Sequence, residues 1–450
     1  MTFIENLVSF VEKESTVTNG LADLAQVAIA DCLGAIIKGS QTPLSRTIAA
    51  TASGSGCATV AGFGKNYSMR DAAMINGVSG HVLELDDTCS SNLGHPTVAV
   101  LPALMAAGES FDSSGMEFVR AFILATEIEC KIGRLCARSI HKKGWHATSV
   151  IGVFGAAIGA GIMMKLNRAQ LEASLGIAAS FASGIRENFG SPVKPIHVGK
   201  VNQDGVYAAL LAQNGITASL TAIEGKEGFL PLYATEGFSN PHDEFTKTLG
   251  NPYDITFPGF AVKQHPSCSS SHRAIDGFFD IVKKYGISKE NIQSVSIGLS
   301  TSALRELVTP HPRNGNEAKF SIGFQIALML LGYKNMPEQY TAEFIFKPEV
   351  QDFIQRVDSY HEPAFDNLPA DMGVGPADVT VVLDNGNRYE HRREWPVGHL
   401  RDPIPPDMLK EKFMNCSEEA LGRSKAEELF GLVLNLRNVA NLKDITKLLI

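Results

Sequence analysis

The first half of the chain repeats apolar residues at spacings of three and four, and this period constrains the fold more than any other feature. Leu21, Leu24 and Ala28 follow it, and residues 33–37 extend the pattern. The spacing is typical of α-helices that bury one side, whereas the alternation of a strand is rare before about residue 258. We therefore expect a large helical domain in the first half of the chain.

Helix boundaries are predicted where a capping side chain precedes the apolar pattern. Ser68, Ser113 and Asn167 are the expected N-caps of helices that end near residues 83, 135 and 182. Two more helices are predicted, at 148–164 and at 200–222. The first of these contains the longest apolar run, which is shorter than the roughly 20 residues that cross a bilayer. We predict that it is a core helix.

A different pattern begins after about residue 258. Residues 295–299 alternate between apolar and polar side chains, as in a half-buried strand. Residues 379–383 and 388–393 flank the pair Asn385-Gly386, which favours a tight turn and predicts a β-hairpin. Helical patterns separate these strands and predict an α+β segment; they cover 271–284, 320–331 and 349–357.

The charged, helix-rich sequence after about residue 405 completes the expected organisation. We predict a mainly α protein with a large all-helical domain at 1–260 and a smaller α+β lid domain at 261–404. C-terminal helices at 405–450 are expected to return to the helical domain. A chain of 450 residues that is 44% hydrophobic has ample apolar material for such a core.

Charge, cysteine content and motifs narrow the function and the compartment. A net charge of −8 and an isoelectric point near 5.9 argue against a nucleic acid or an anionic membrane as the main partner. The seven cysteines include no Cys-x-x-Cys pair, and the first 14 residues lack the features of a signal peptide. We expect a cytoplasmic protein. No Cys-x-x-Cys pair suggests zinc, and no glycine-rich motif has the context of a dinucleotide-binding loop, so we expect no metal and no organic cofactor.

Four polar segments interrupt the apolar sequence, and they concentrate residues that hold anions or move protons. The first contains Asp86, Asp87 and Thr88 and leads to His95, which stands directly before Pro96 at a predicted helix start. Free backbone N–H groups at a helix start attract carboxylates, so a substrate site is one interpretation. Helix capping would account for the acids and the threonine equally well.

The second and third segments repeat this combination. His146 precedes the capping residue Thr148 at a second predicted helix start, and two such sites predict an anion with two charged ends. The third segment carries Arg186, Lys194 and His197 on a loop that two prolines and two glycines are expected to shape. A capping threonine and a solvated basic connector are the structural alternatives.

The fourth segment holds Lys263 and His265, where the helical pattern gives way to the α+β pattern. Ligand clefts often form at such boundaries, although its serines could simply cap the next helix. Together the segments supply a cationic set within an acidic protein, which favours a di- or tricarboxylate ligand. Removing a proton beside a carboxylate requires a positioned base and cations that stabilise the displaced charge, and lysine and histidine serve both purposes.

Motifs in these segments resemble those of the MmgE/PrpD superfamily, which contains 2-methylcitrate dehydratase, cis-aconitate decarboxylase and iminodisuccinate epimerase. The resemblance extends over essentially the whole chain. The motifs that carry it are Leu85-Asp86-Asp87-Thr88 with Gly94-His95-Pro96, Gly144-Trp145-His146 with Gly152 to Gly155, Asn188-Phe189-Gly190 leading to Lys194-Pro195-x-His197-x-Gly199, and Glu317-Ala318-Lys319-Phe320-Ser321.

The resemblance implies a helical domain with both chain ends, an α+β lid, a homodimer, and a cofactor-free active site between domain and lid. The catalytic residues that it implies are His95, His146, Lys194, Lys263 and Asp86. We expect the substrate-binding residues to be Thr88, Arg186, His197 and His265.

The reaction class stays open at this point. We favour a lyase of the dehydratase or decarboxylase type; the alternative is an epimerase or racemase of an iminodisuccinate-like dicarboxylate. Glu84 stands where the decarboxylases commonly have aspartate. A hydrolase that holds zinc or manganese on His95, His146 and His197 would belong to a different class, as would a carboxylate-binding protein without turnover.

Overall fold

The computed structural model describes residues 1–14, 16–234, 242–369 and 372–450, which divide into two units. The helical unit comprises Met1–Val82, Asp86–Phe260 and Pro405–Ile450. The α+β unit comprises Ala261–Ile404 together with the short segment Leu83–Leu85. Helices dominate and the sheets are small, which confirms the predicted fold class.

The first two parts of the helical unit contain most of its helices and one two-stranded sheet. In chain order they are α1 Phe3–Lys13, α2 Asn19–Ser40, α3 Pro43–Thr51, β1 Ala58–Thr59, β2 Asn66–Tyr67, α4 Met69–His81, α5 Pro96–Ser110, α6 Gly115–Lys142, α7 Ala147–Met163, α8 Arg168–Phe181, α9 Val193–Gln213, α10 Phe229–Tyr233 and α11 His242–Thr248.

The α+β unit is built on a four-stranded sheet. Its elements are α12 Ser269–Tyr285, β3 Ile292–Leu299, α13 Thr301–Glu306, α14 Gly315–Ala318, α15 Ile322–Leu330, α16 Ala342–Ile345, α17 Pro348–Ile354, β4 Val357–His361, β5 Ala377–Leu383 and β6 Arg388–Arg393. The C-terminal helices of the helical unit follow, and they are α18 Pro406–Leu421, α19 Arg423–Leu434 and α20 Lys443–Thr446. α18 and α19 pack against α2.

Side-chain caps define several of the predicted helix starts. Ser68 and Asn167 accept hydrogen bonds from the backbone of α4 and α8, as predicted. The prediction for α6 was wrong by one residue, because Ser114 is its N-cap. Glu117, three residues later, completes a capping box with Ser114, and this reciprocal pair decides the boundary.

The start of α9 corrects the sequence analysis. The predicted helix began at residue 200, but α9 begins at Val193 and ends at Gln213. Pro192 is its N-cap and Pro195 lies in its first turn. Backbone N–H groups in the first turn have no acceptor within the helix, so a proline there costs no hydrogen bond. Lys194 and His197 consequently lie on a helix, although the sequence analysis placed them on a loop.

Two glycines allow α4 and α9 to contact each other through their backbones. A Cβ atom at Gly77 would lie 2.8 Å from Gly199 Cα, and one at Gly199 would lie 2.6 Å from the carbonyl oxygen of Met74. Such separations exclude any larger side chain without movement of a helix. The contact fixes the end of α4, at His81, against the first turns of α9.

Asn202 of α9 compensates for a proline inside α5. Pro102 has no N–H to donate to the carbonyl of Val98, and the Asn202 side chain donates to that carbonyl at 2.9 Å. The Asn202 Oδ1 accepts from the backbone N–H of Ala103, also at 2.9 Å. The side chain thus ties α5 to α9 and satisfies backbone groups that the proline would leave buried without partners.

The sheet confirms one prediction and adds a strand that the sequence analysis missed. β5 and β6 form the predicted antiparallel hairpin, although within Asn385-Gly386 only Gly386 has a positive φ. The strand order is β4-β3-β5-β6, and β4 is parallel to β3. Only the first residue of β4, Val357, fell within a predicted helix, and the rest of the strand was not predicted, because this mostly exposed edge strand lacks an apolar alternation.

Both apolar helices of interest belong to the core. α7 contains the run predicted to be a core helix, and all but one of its residues are buried. α2 is long and apolar enough to cross a membrane, but 78% of its most apolar window is buried inside the fold. Burial of this kind is what a core helix of a globular protein shows.

The close α4–α9 contact implies that alanine has opposite effects on the free energy of unfolding at a contact glycine and at an exposed glycine. Gly199→Ala should destabilise the protein by about 1–3 kcal/mol, because the new methyl group meets backbone atoms. Gly20→Ala, on exposed helix surface with no atom within 4 Å, should stabilise it by up to about 1 kcal/mol. Urea denaturation measures both, and equal effects of the two substitutions would contradict the account.

Candidate active site

Three buried or half-buried side chains form a cluster at the junction of α4 and α5. His81 is the last residue of α4, His95 is the N-cap of α5, and Asp86 lies on the connection between these helices. The Oδ2 atom of Asp86 is 2.8 Å from His81 Nδ1 and 3.0 Å from His95 Nδ1. The two imidazole rings are in edge-to-face contact, with centroids 4.6 Å apart.

The Asp86 carboxylate is charged although it is fully buried. Burial alone would raise the pKa of Asp86, but the charges and hydrogen bonds of His81 and His95 hold it well below its usual range. Because an ionised carboxylate only accepts hydrogen bonds, His81 Nδ1 is the donor in the 2.8 Å hydrogen bond, and His95 Nδ1 lies in close polar contact with the same oxygen at 3.0 Å. The Nε2 atom is thus the nitrogen of His95 that remains for other contacts.

Asp87 has the opposite character. Burial raises the pKa of Asp87 to about 8, so its carboxyl group is mainly neutral near pH 7. Asp87 accepts hydrogen bonds from the Thr97 hydroxyl at 2.5 Å and from the Thr97 N–H at 3.3 Å. It therefore caps the first turn of α5, which was the structural alternative for this residue.

A pair of histidines lies next to this cluster. His146 is the N-cap of α7, as its sequence position predicted, and its Nδ1 atom is 3.2 Å from Nδ1 of His197 on α9. The His146 ring also stacks on His81 with centroids 5.9 Å apart. The helix starts of α5, α7 and α9 therefore bring Asp86, His95, His146 and His197 together in the helical unit.

Both rings of the pair are neutral near pH 7. Burial lowers the pKa of His146 well below 6.5, and the charge of Lys194 lowers it further. Burial also lowers the pKa of His197, again with a contribution from Lys194. In a hydrogen bond between two Nδ1 atoms, one ring carries its proton on Nδ1 and the other on Nε2. The pair thus offers one basic Nε2 and one Nε2–H donor.

Lys194 and Phe189 complete this part of the site. Lys194 is buried in the first turn of α9, and its Nζ atom lies over the Phe189 ring, 5.1 Å from the centroid. The same ring makes an edge-to-face contact with His146, with centroids 5.0 Å apart. Phe189 therefore contacts both the ammonium group of Lys194, on α9, and the imidazole of His146, at the start of α7. Its role was not predicted from the sequence.

The loop between Asp87 and His95 is fixed against α6. Asn92 donates to the buried Glu129 carboxyl at 2.7 Å and accepts from Gly94 N–H at 3.1 Å. Gly133 of α6 allows the close approach, since a Cβ atom there would lie 2.6 Å from Asn92 Cα. Thr88, a predicted substrate ligand, is half-buried at the start of this loop.

Arg186 holds backbone in place. Its backbone N–H donates to the carbonyl of Gly144 at 2.8 Å, and its guanidinium donates to the carbonyl of His141 at 3.2 Å. The guanidinium carbon also lies 5.4 Å from the centroid of Phe189. Arg186 thus connects the end of α6 to the segment before α9, and its predicted contact with substrate stays a prediction.

The α+β unit contains Lys263 and His265, described here within that unit alone. Lys263 is buried, and its Nζ donates to the carbonyl oxygen and the carboxylate of Glu84 at 3.2 and 3.3 Å. The backbone of Glu84 has a φ of 57°, in a region that residues other than glycine rarely adopt. Lys263 therefore stabilises an unfavourable conformation two residues before Asp86 in the sequence.

Both ring nitrogens of His265 have partners in the α+β unit. Nδ1 accepts from the Asn335 amide at 3.1 Å, and Nε2 donates to Asp276 at 3.1 Å. The ring also contacts His272, with centroids 4.9 Å apart. These contacts hold the start of α12, and the predicted role of His265 in substrate binding stays a prediction.

His81 is the functional candidate that the sequence analysis missed. It ends an apolar helix, and its exposed fraction is 0%, so its pattern is that of a core residue. The signal that could have found it is its position five residues before Asp86, at a helix end. With Asp86 and His95 it forms a group whose ligand atoms lie within 4.8 Å of one another, close enough for a metal ion. The metal alternative therefore moves from His146 and His197 to this cluster.

Comparison with known proteins matches one family over both units. Residues 7–240 match the MmgE/PrpD N-terminal domain, and residues 265–438 match the MmgE/PrpD C-terminal domain. Human cis-aconitate decarboxylase is 27% identical over 389 residues, which cover 84% of this chain and 79% of the relative. The Aspergillus terreus cis-aconitate decarboxylase is 25% identical over 416 residues, 88% of this chain and 84% of the relative. The resemblance seen in the sequence is confirmed, as is the expectation of an enzyme of this type.

Because the buried His146 ring is neutral, removing it is expected to change how the free energy of unfolding depends on pH. The folded protein takes up this proton only well below pH 6.5, whereas the unfolded chain takes it up near 6.5. Stability contributed by the neutral ring is thus present above 6.5 and lost as the pH falls, by up to about 1.4 kcal/mol per pH unit. His146→Gln should make the free energy of unfolding fall less steeply between about pH 7.5 and about pH 5.5.

Urea denaturation across this range measures the slope. His311→Gln, at an exposed histidine of the α+β unit, is the control and should keep the wild-type slope. An unchanged slope in His146→Gln would mean that the pKa of this ring is the same in the folded and the unfolded protein, which would contradict the account.

Proposed function

This chain belongs to the MmgE/PrpD family, and from that premise we propose that it is a lyase acting on a small di- or tricarboxylate. The reaction would be a decarboxylation or a dehydration, with proton transfer at the carbon next to a carboxylate. Relatives named cis-aconitate decarboxylase support a tricarboxylate substrate. Neither an organic cofactor nor a metal is part of the proposal.

The observation that carries the proposal is the neutral His146–His197 pair. Its Nδ1–Nδ1 hydrogen bond, 3.2 Å long, requires opposite tautomers on the two rings. One Nε2 is then ready to accept a proton, while the other is ready to donate one. A lyase needs both a base and an acid within the same site, and this pair supplies both near neutral pH.

The two lyase reactions use these groups in different order. In a dehydration, the base takes the proton on the α-carbon, the electrons form a carbon–carbon double bond, and hydroxide leaves with a proton from the acid. In a decarboxylation, the bond to one carboxylate breaks and releases carbon dioxide. The electron pair of that bond then moves to a carbon beside a remaining carboxylate. The acid protonates this carbon. Both reactions place negative charge next to a carboxylate.

Lys194 is the cation best placed to stabilise that charge within the helical unit. It is buried, and its charge is close enough to lower the pKa of His146. A buried ammonium group interacts strongly with an enediolate-like intermediate because little solvent screens it. In this proposal His146 is the general base, His197 donates the second proton through its Nε2–H, and Lys194 stabilises the carboxylate. The free Nε2 of His95 accepts a hydrogen bond or a proton from the substrate.

An epimerase remains the second candidate. Removal and return of a proton on opposite faces of the carbon requires two acid–base groups, and the His146–His197 pair and His95 provide them. We further propose a cytoplasmic homodimer, which rests on the family resemblance. Neither assignment changes the chemistry assigned to the helical unit.

The test is proton NMR in deuterium oxide with citrate, 2-methylcitrate, cis-aconitate, malate, aspartate and iminodisuccinate. The proposal predicts loss of an α-proton signal together with a new vinyl signal or release of carbon dioxide from at least one of them. Exchange without a new compound would establish an epimerase instead. Silence of the folded enzyme on the whole panel would contradict an acid–base enzyme for these polycarboxylates.

Substitutions connect the reaction to the site. His146→Gln should reduce turnover about 10²- to 10⁴-fold, the usual contribution of a general base. Lys194→Met should do the same, whereas Lys142→Met, at an exposed lysine, should leave turnover unchanged. Metal analysis of the purified protein accompanies these assays. Activity that depends on stoichiometric zinc or manganese would replace the proposal by metal chemistry at the His81 cluster.

A further inference from the structure

We propose that His81 is a positioning residue, which holds the Asp86 carboxylate so that Asp86 in turn fixes the ring orientation and tautomer of His95. This role rests on the proposed function, because it concerns the same acid–base site. His81 itself would not touch the substrate. It would act only through Asp86.

The environment of His81 suits an anchor. It is the last residue of α4, its exposed fraction is 0%, and its Nδ1 donates to Asp86 Oδ2 at 2.8 Å. The backbone contact between Gly77 and Gly199, one turn earlier, fixes this end of α4. A donor on a rigid, buried helix end defines the position of its acceptor more closely than a donor on a loop would.

His95 has the complementary environment. Its side chain is 12% exposed, and it lies on the N-cap of α5, where the loop from Asp86 ends. Its Nδ1 reaches the same Oδ2 atom of Asp86, at 3.0 Å. The carboxylate therefore joins an inaccessible imidazole to an accessible one, and only the accessible ring is able to meet a ligand.

The need for an anchor follows from the second carboxylate oxygen. Within the described residues Oδ1 of Asp86 is buried and has no hydrogen-bond partner. Among the described residues, the contacts of His81 and His95 with Oδ2 are thus the polar contacts that restrain rotation of the carboxylate about its Cβ–Cγ bond. Without His81 the carboxylate could turn either oxygen toward His95 or away from it. The His95 ring would then lose the acceptor that keeps its proton on Nδ1.

Other charged and titratable groups surround the three residues and must be held constant in any test. From α2 they are Asp31 and Cys32, from the loop Asp87, from α7 His146, and from α9 Lys194 and His197. None of them is changed in the variants below.

The test compares His81→Leu, which removes the donor, with His81→Asn. The Asn side-chain nitrogen occupies nearly the same place as Nδ1 of histidine and also donates. Nitrogen-15 NMR of His95, under mildly alkaline conditions, reports which ring nitrogen carries the proton. Wild type and His81→Asn should show one tautomer, protonated on Nδ1. His81→Leu should show a mixture of both tautomers.

Kinetics supply a second readout on the substrate found active. His81→Leu should reduce kcat about 10- to 100-fold while KM changes less than about threefold, and His81→Asn should recover most of the loss. A folded His81→Leu protein that keeps the single Nδ1–H tautomer at His95 would overturn the proposal. So would an equal loss of kcat in both variants. An inactive wild-type enzyme would instead refute the proposed function, because the tautomer result does not depend on turnover.

Discussion

The buried charge of Asp86 is the interaction on which the rest of the site depends. A carboxylate with no exposure is costly unless polar partners surround it; His81 donates to Asp86 at 2.8 Å, and His95 Nδ1 lies 3.0 Å from the same oxygen. The carboxylate in turn favours a proton on the Nδ1 atom of each ring. Asp87, one residue later, lacks a cationic partner in its hydrogen bonds, and burial leaves it mainly neutral. Two adjacent acids thus differ in charge because their neighbours differ.

Helix packing brings the acid–base groups together. α4 ends at His81, α5 and α7 begin after His95 and His146, and α9 carries His197 in its first turns. Glycines allow the backbones of α4 and α9 to touch, and Asn202 joins α9 to α5 across the gap that a proline creates. A site made of helix ends on such close-packed elements has little freedom, which suits hydrogen bonds that must define tautomers.

The sequence predicted local features better than distant pairings. Helix periods, the N-caps Ser68 and Asn167, and the 377–393 hairpin follow from short-range rules, and the structure contains them. The start of α9 was misplaced because prolines were interpreted as loop residues rather than as first-turn residues. His81 was missed because it is a buried residue at the end of an apolar helix, so its local pattern is that of a core residue. Likewise, no rule of spacing predicts the pairing of Lys263 with Glu84, 179 residues away in the sequence.

The central claim is that His146 and His197 form a neutral pair with opposite tautomers. Nitrogen-15 NMR of the resting enzyme near neutral pH measures it directly, with His146→Gln and His197→Gln used to assign the signals. The account predicts one ring protonated on Nδ1 alone and the other on Nε2 alone. Two rings of the same tautomer, or a doubly protonated ring in the pair, would contradict it and remove the acid–base arrangement on which the proposed reaction rests.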